Sequence, residues 1–206
     1  MKRVFIHLLV LSSFTGFAQE KNGVTYAQSK RKESDASFFL GTSTGINQHT
    51  GIIGLNFSYY PVENTSFDMG LGLSTWGWKF NIGGKYLFPK NHNSRFGLGF
   101  GFTHSTGLNR FTMSLKNINE EIEELTFNLK PVNCIHFEAY KMWYLGKNGN
   151  ILFIDAGYSA NISSDYVIQT GGTQASDLSI STLNSISPGG VIFGLGFQFA
   201  LDNGKK

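Results

Sequence analysis

The stretch FGLGFGFTHS, from Phe96 to Ser105, places a glycine at every second position between large apolar residues. Residues two apart in a strand point to the same face, so this pattern predicts a strand with one bulky face and one glycine face. Glycine inside a strand costs roughly 0.5–1 kcal/mol relative to alanine, so Gly97, Gly99 and Gly101 need a structural reason. We expect their face to lie where there is little room for side chains.

The same alternation recurs along the chain and predicts eight strands. Their expected ranges are 36–46, 50–60, 66–76, 77–88, 95–105, 132–145, 150–161 and 189–201. All are longer than the 5–6 residues usual in soluble proteins and are close to the 9–11 residues of a tilted strand that crosses a membrane. Strand length and alternation therefore favour a membrane barrel.

The connections between these strands differ in length by parity. The second, fourth and sixth connections are short and polar, whereas the fifth and seventh, residues 106–131 and 162–187, are long and rich in Ser, Thr, Asn or Glu. Short turns on one side and long loops on the other are typical of an outer-membrane barrel with an even number of strands. We predict an all-β fold, an antiparallel eight-stranded transmembrane barrel over residues 36–201.

The volume of such a barrel decides which face points inward. The interior of an eight-stranded barrel is only just wide enough for side chains, so the bulky face should meet lipid and the small, polar face should line the lumen. A soluble ligand-binding barrel of lipocalin type would need the opposite arrangement. The inward charges should pair and fill the lumen, which disfavours the alternative of a narrow pore. This interior network is predicted to contain Asp68, Lys79, Lys85, Arg95, Glu138 and Asp155.

The first residues have the pattern of a signal peptide. Lys2 and Arg3 precede an apolar run that ends near Gly16 to Ala18, which predicts cleavage after residue 18 and export from the cytoplasm. Residues 19–35 then form a periplasmic tether and residues 202–206 a C-terminal tail. Cleavage removes two of the 17 basic residues and leaves 15 against 14 acidic ones, which argues against a nucleic-acid partner.

Motifs for cofactors and metals are weak. Cys134 is the only cysteine, so the chain has neither an intramolecular disulfide nor a thiolate cluster. GLGFGF lacks the spacing of a dinucleotide-binding loop, and the spacing of the histidines 49, 92, 104 and 136 is not that of zinc ligands. We therefore expect no cofactor and no metal. The acidic run NEEIEEL, residues 119–125, is expected to be a solvated loop, with a short helix or a cation site as alternatives.

The whole mature chain resembles the small eight-stranded outer-membrane barrels of the OmpA-like and PorT-like type. The last strand carries this resemblance, since Gly194, Phe197 and Phe199 are spaced as in the C-terminal signal read by the barrel assembly machinery; Ile192 and the extension after Phe199 depart from it. The resemblance implies a monomer in the cell outer membrane, in contact with lipids and lipopolysaccharide. It also implies a structural, adhesive or secretion-accessory role. Because recognition residues concentrate in loops on a rigid support, we expect a protein partner to bind through segments 106–131 and 162–187.

A hydrolase is the alternative function. His104, Ser105 and Thr106 faintly resemble the His-x-Ser-Asn stretch of the lipid A deacylases, which are small barrels whose catalytic triad faces lipid. A hydroxyl nucleophile needs an imidazole base within reach and a carboxylate to orient that base. Thr106 stands where the serine should be and Gly107 where the asparagine should be, so we expect His104 to be an interfacial histidine rather than a catalytic base.

Overall fold

A computed structural model of the chain describes residues 38–89, 91–146 and 149–201. The expected signal peptide 1–18, the tether 19–35 and the tail 202–206 lie outside the described residues. The strands in chain order are β1 (Phe38–Ile46), β2 (Ile53–Val62), β3 (Thr65–Ser74), β4 (Gly77–Leu87), β5 (Ser94–Ser105), β6 (Leu108–Lys116), β7 (Ile122–Leu129), β8 (Val132–Leu145), β9 (Asn150–Asn161), β10 (Val167–Gly171) and β11 (Gly190–Ala200), with helix α1 (Asp177–Ser185) between the last two.

Eight of these strands close into an antiparallel barrel in the order β1-β11-β9-β8-β5-β4-β3-β2. Strand β1 closes the barrel by pairing with β11, where Leu40 lies opposite Phe199. The all-β, antiparallel, eight-stranded barrel predicted from the alternation is thus confirmed. The turns after β2, β4 and β8 lie at the end of the barrel where β1 begins, and the longer segments lie at the opposite end, which we call the outer mouth.

The two faces of strand β5 differ as the alternation predicts. Phe96, Leu98, Phe100 and Phe102 are between 40% and 59% exposed on the outer wall. A methyl group added at Gly97 or Gly99 would lie 2.6 Å from Leu87 Cδ2 or Tyr140 Cε2, and one at Gly101 would be closer still to His136 Nε2. The glycines therefore make room in the lumen for larger side chains from neighbouring strands.

The lumen is not lined by small and polar residues alone. At the end away from the outer mouth, a compact apolar cluster fills it, formed by Phe39, Leu87, Tyr140, Met142, Ile151 and Phe153. Bulky side chains occupy the volume that the glycines of β5 leave free at this end, so the inner face also contains large apolar residues. The apolar cluster closes this end of the barrel.

The two long segments at the outer mouth are folded rather than extended loops. Strands β6, β7 and β10 form a second sheet in the order β10-β7-β6, and α1 follows β10. We call residues 106–131 and 162–189 the cap. The acidic run 119–125 is neither a helix nor an extended loop, because it ends the turn after β6 and continues as strand β7 from Ile122.

The cap has its own apolar core. Leu125, Phe127 and Leu129 of β7 are buried together with Leu183 of α1, and the same cluster includes Trp76 from the turn between β3 and β4. Trp76 donates a hydrogen bond from its indole nitrogen to the Lys130 carbonyl at 2.8 Å. The cap is therefore packed onto the rim of the barrel rather than tethered above it.

Candidate functional site

The turn between β1 and β2, residues 47–52, folds into the lumen instead of pointing to solvent. Gln48, His49 and Thr50 are each 3% exposed or less, although they lie in a connection between two strands. Lys79 of β4 donates to the carbonyl of Gln48 at 2.8 Å, and Ser43 shares a 2.6 Å hydrogen bond with Thr50. These contacts hold the inward turn against the barrel wall.

The inward turn brings His49 to two residues of β8. Its Nδ1 lies 3.0 Å and 3.2 Å from the two carboxylate oxygens of Glu138, and His136 Nδ1 lies 2.8 Å from Glu138 Oε1. The two imidazole rings stack with their centroids 5.6 Å apart. We call His49, His136 and Glu138 the lumen cluster; all three are buried.

The surroundings of the lumen cluster are polar but incompletely paired. The Tyr140 hydroxyl donates to Glu138 Oε2, and Gln48 donates from Nε2 to Asp155 Oδ1 at 3.0 Å. Two buried atoms, His136 Nε2 and Asp155 Oδ2, have no hydrogen-bond partner among the described residues. Unpaired buried polar atoms are costly, so this part of the lumen has unused donor and acceptor capacity.

A separate ion pair lies between the lumen cluster and the apolar end. Lys85 donates to Asp68 Oδ1 at 2.8 Å and lies 4.6 Å from the centroid of the Tyr140 ring. Ser66 donates to the other carboxylate oxygen of Asp68 at 2.8 Å, and Ser58 also donates to this carboxylate. Asp68 and Lys85 therefore form a buried and well hydrogen-bonded pair.

All six charged residues proposed for the interior network are 5% exposed or less. Asp68 pairs with Lys85, Lys79 donates to carbonyls of the inward turn, and Arg95 pairs with Glu63 at the short-turn end. A chain of side-chain hydrogen bonds connects Asp68 to Asp155 through Ser58, Gln198, Asn56, Ser43, Thr50 and Gln48. Glu138 takes its ionic contacts from two histidines. Asp155 accepts a hydrogen bond from the side-chain amide of Gln48.

The proximity of His49 to His136 was missed by the sequence reasoning, which treated the histidines as separate because they lie on different elements. The two residues are 87 positions apart in number, and no local motif joins them. The available signal was that a polar turn beside a narrow lumen contains Gln, His and Thr in succession. The direction in which that turn folds is a tertiary property.

The residues considered for a hydrolase are not arranged as a triad. His104 Nδ1 lies 2.8 Å from the amide oxygen of Asn133, and no carboxylate of the described residues contacts this imidazole. Ser105 is buried on the lumen side of β5. The Thr106 hydroxyl accepts a hydrogen bond from the Trp78 backbone N–H. The nucleophile, base and orienting acid are therefore not brought together.

One carboxylate of the cap has a shifted pKa. The side-chain amide of Asn117 donates to Glu123 Oε2 at 3.1 Å, and the Thr173 N–H donates to Oε1 at 3.2 Å. These hydrogen bonds, that from Asn117 first, favour the ionised form and lower the pKa of Glu123. Glu123 thereby joins β7 to the turn after β6 and to the segment after β10.

Helix α1, which has nine residues, is too short to cross a membrane, and the described residues contain no long apolar helix. The chain matches no protein-family model, and no curated protein matches it.

Proposed function

We propose that this protein is an integral outer-membrane barrel whose cap serves as a binding platform. The observation that carries the proposal is the distribution of side chains across the barrel wall. Each of the eight barrel strands has an exposed apolar side chain on the outer surface, as at Leu40, Leu55, Met69, Ile82, Leu98, Phe137, Ile154 and Leu195. Contiguous apolar surface of this extent is rare on soluble monomers, whereas a lipid bilayer covers it.

The inside of the barrel supports the same proposal. Charged and polar side chains are buried in the lumen, and the apolar cluster around Phe39, Leu87 and Phe153 closes one end. Apolar residues outside and polar residues inside are the arrangement of membrane barrels. Because the lumen is filled, the proposed role is structural or adhesive or secretion-accessory binding rather than conduction.

The membrane location is tested by fractionation and heat-modifiable gel migration. We expect the protein to sediment with outer membranes, to resist extraction by high salt and alkaline carbonate, and to migrate faster in unheated than in heated samples. Release by carbonate would contradict the proposal. A control for the washes is any peripheral envelope protein in the same sample, which should be released.

The binding role is assigned to the tip of the cap. Ile118, Ile122 and Leu178 are exposed there, and they are held near one another because Ile118 N–H donates to the Gln174 carbonyl at 2.8 Å and Ser176 N–H donates to the Lys116 carbonyl at 3.1 Å. Exposed apolar side chains on a rigid support are suited to contacting a partner. The resemblance to barrels with accessory or adhesive roles supports the same assignment.

Site-specific photo-crosslinking in intact cells tests this role. A photoreactive residue at Ile122 should give a discrete adduct, whereas one at Asn109, an exposed position of β6 away from the tip, should give none. Equal adducts at both positions, or none at Ile122, Ile118 and Leu178, would contradict binding through the tip.

A further inference from the structure

We propose that the lumen cluster of His49, His136 and Glu138 is a binding site for a divalent transition-metal ion, with Zn²⁺ as the best match. This inference does not depend on the partner of the cap or on the membrane location. It rests on the donor set, its burial, and the way in which the inward turn delivers one of the three ligands.

The three residues offer ligand atoms that converge on one point. One donor atom from each lies within 4.8 Å of the other two. In a tetrahedral site, zinc bonds of about 2.0–2.2 Å hold ligand atoms roughly 3.4 Å apart, so the widest pair has to close by up to about 1.4 Å. The short contacts of Glu138 with both Nδ1 atoms show that the rings already face the carboxylate. A metal would replace the protons that now join them.

The type of donor selects the type of metal. Two imidazoles and one carboxylate form one of the common zinc ligand sets, and imidazole nitrogen favours Zn²⁺, Co²⁺, Ni²⁺ or Cu²⁺ over Mg²⁺ and Ca²⁺. The Tyr140 hydroxyl, which donates to Glu138, would orient the carboxylate as an outer hydrogen-bond partner. The chain thus supplies three ligands and a supporting contact.

The layer of the lumen cluster contains two buried carboxylates, Glu138 and Asp155. The ionic contacts of Glu138 come from the two histidines, and Asp155 receives the neutral Gln48 amide. Asp155 Oδ2 and His136 Nε2 remain without hydrogen-bond partners among the described residues, and both residues are nearly completely buried. A divalent ion bound in place of the two ring protons would keep the buried Glu138 carboxylate compensated.

The glycines of the lumen face shape the site. A methyl group at Gly101 would overlap His136 Nε2, and one at Gly194 would lie 2.6 Å from Gln48 Nε2 and 2.8 Å from Asp155 Oδ1. Strand β5 therefore omits a side chain where the imidazole of His136 lies, and β11 omits one where the inward turn enters. This is the room that a ligand set in so narrow a barrel requires.

The inward turn gives the site a route of entry. His49 lies on the turn, whereas His136 and Glu138 lie on β8. A pocket of about 350 Å³ at the outer mouth is bordered by Asn47, Gly51 and Ile52 of the same turn. Movement of the turn into this space would open the cluster, and metal binding would fix the turn to the wall. Binding and order of the turn should therefore be coupled.

Metal binding is tested on the untagged mature chain, freed of metal and folded in detergent micelles. Co²⁺ is the spectroscopic probe: we expect visible absorption bands of low-coordinate nitrogen and oxygen ligation at one equivalent, lost on addition of Zn²⁺ but not of Mg²⁺. His49→Gln and His136→Gln should each weaken binding by about 100-fold or more, since even outer partners of metal ligands are worth 10–100-fold. The matched control is His104→Gln, which should bind as the wild type does.

Hydrogen exchange provides a second measurement, which Zn²⁺ would not change if the lumen cluster had only a structural role. Zn²⁺ should slow exchange of the amides of the inward turn in the wild type and not in His49→Gln, a variant that changes a turn and leaves every barrel strand intact. Heat-modifiable migration of each sample establishes that the barrel is folded. A folded wild type that binds no Co²⁺, or folded His49→Gln and His136→Gln variants that bind it with wild-type affinity, would overturn the metal site while leaving the membrane proposal unaffected.

Discussion

At the scale of the residue, glycines on the inner face leave space in the lumen for larger side chains from neighbouring strands. The three glycines of β5 face Leu87, Tyr140 and His136, each of which would collide with an added methyl group. In a barrel of eight strands every inward side chain competes for the same small volume, so a glycine on one strand allows a large residue on the next. The cost of glycine in a strand is offset by the burial of its neighbours.

Gly101→Ala should therefore destabilise the barrel. The added methyl group overpacks the lumen against His136, for which we expect a loss of roughly 1–3 kcal/mol in the free energy of unfolding. Urea unfolding in detergent or lipid vesicles, followed by the heat-modifiable band, measures this loss. The matched control is Gly171→Ala in β10, where the nearest atom would lie at an ordinary 3.5 Å; an equal loss in both variants would contradict the packing argument.

The buried pair of Asp68 and Lys85 makes a second prediction at this scale. Lys85→Met leaves the Asp68 carboxylate without its ammonium partner in a buried site, which should cost about 3–5 kcal/mol. The double variant Asp68→Asn with Lys85→Met removes both charges and should regain much of this loss. The same unfolding assay tests this prediction, with Asp68→Asn alone as the second single variant. If the double variant loses as much free energy of unfolding as the two single variants together, the charges do not interact.

At the scale of the element, a buried tryptophan of the barrel rim packs in the apolar core of the cap. Trp76 is fully buried among residues of β7, β8 and α1, whereas Trp78, two residues later, is 52% exposed. The side chain of Trp76 joins the apolar core of the cap to the turn between β3 and β4. Removal of this ring should therefore weaken the contact between the cap and the barrel.

Trp76→Ala should loosen the cap and leave the barrel closed. Truncation of a buried tryptophan costs about 3–5 kcal/mol, and that loss falls on the cap because the barrel ladders are unchanged. Limited proteolysis should cut residues 106–131 or 162–189 faster, while migration stays heat-modifiable. Trp78→Ala is the matched control and should leave the rate of cutting in the cap unchanged.

The carboxylate of Glu123 gives the cap a dependence on pH. Its pKa is lower in the folded cap than in the unfolded chain, because it accepts hydrogen bonds from Asn117 and Thr173. A lowered folded pKa means that the stabilisation is present above the unfolded value of about 4.5 and is lost as the pH falls through the folded pKa. The cap should therefore weaken only in acid.

The amide proton shift of Thr173, followed by NMR, measures this titration. The midpoint should lie below 4.5, the ordinary value for a glutamate. Glu123→Gln should abolish the acid transition of this amide. A midpoint at or above the ordinary value would contradict the stabilising role of these hydrogen bonds.

At the scale of the whole molecule, a charged substitution on the outer wall distinguishes a membrane barrel from a soluble one. Ile82 lies in the middle of β4, opposite Met69 and Phe102, and is 56% exposed. An arginine at the middle of a lipid-facing strand costs about 2–4 kcal/mol. The same arginine on a wall covered by water would cost little.

Ile82→Arg should accordingly destabilise the protein in lipid vesicles by about 2–4 kcal/mol, measured by urea unfolding. Leu178→Arg, at a position of α1 that is 68% exposed, is the matched control and should be tolerated. Tolerance of both substitutions would contradict insertion of the barrel wall in lipid.

The sequence by itself determined the barrel. Alternation such as that from Phe96 to Phe102 specifies the strand and its two faces, and the narrow interior decides which face is inside; both are properties of local order and volume. The length and even number of the strands, with short turns and long segments alternating, predict that the sheet closes.

Only the tertiary structure decided the lumen cluster and the cap. His49 reaches His136 because a turn folds inward through space left by glycines on other strands, and Leu125 and Leu183 are buried together because two segments distant in the chain pack on one rim. No local sequence pattern predicts either arrangement. Each depends on contacts between residues far apart in the chain, and these contacts form only after the barrel has closed.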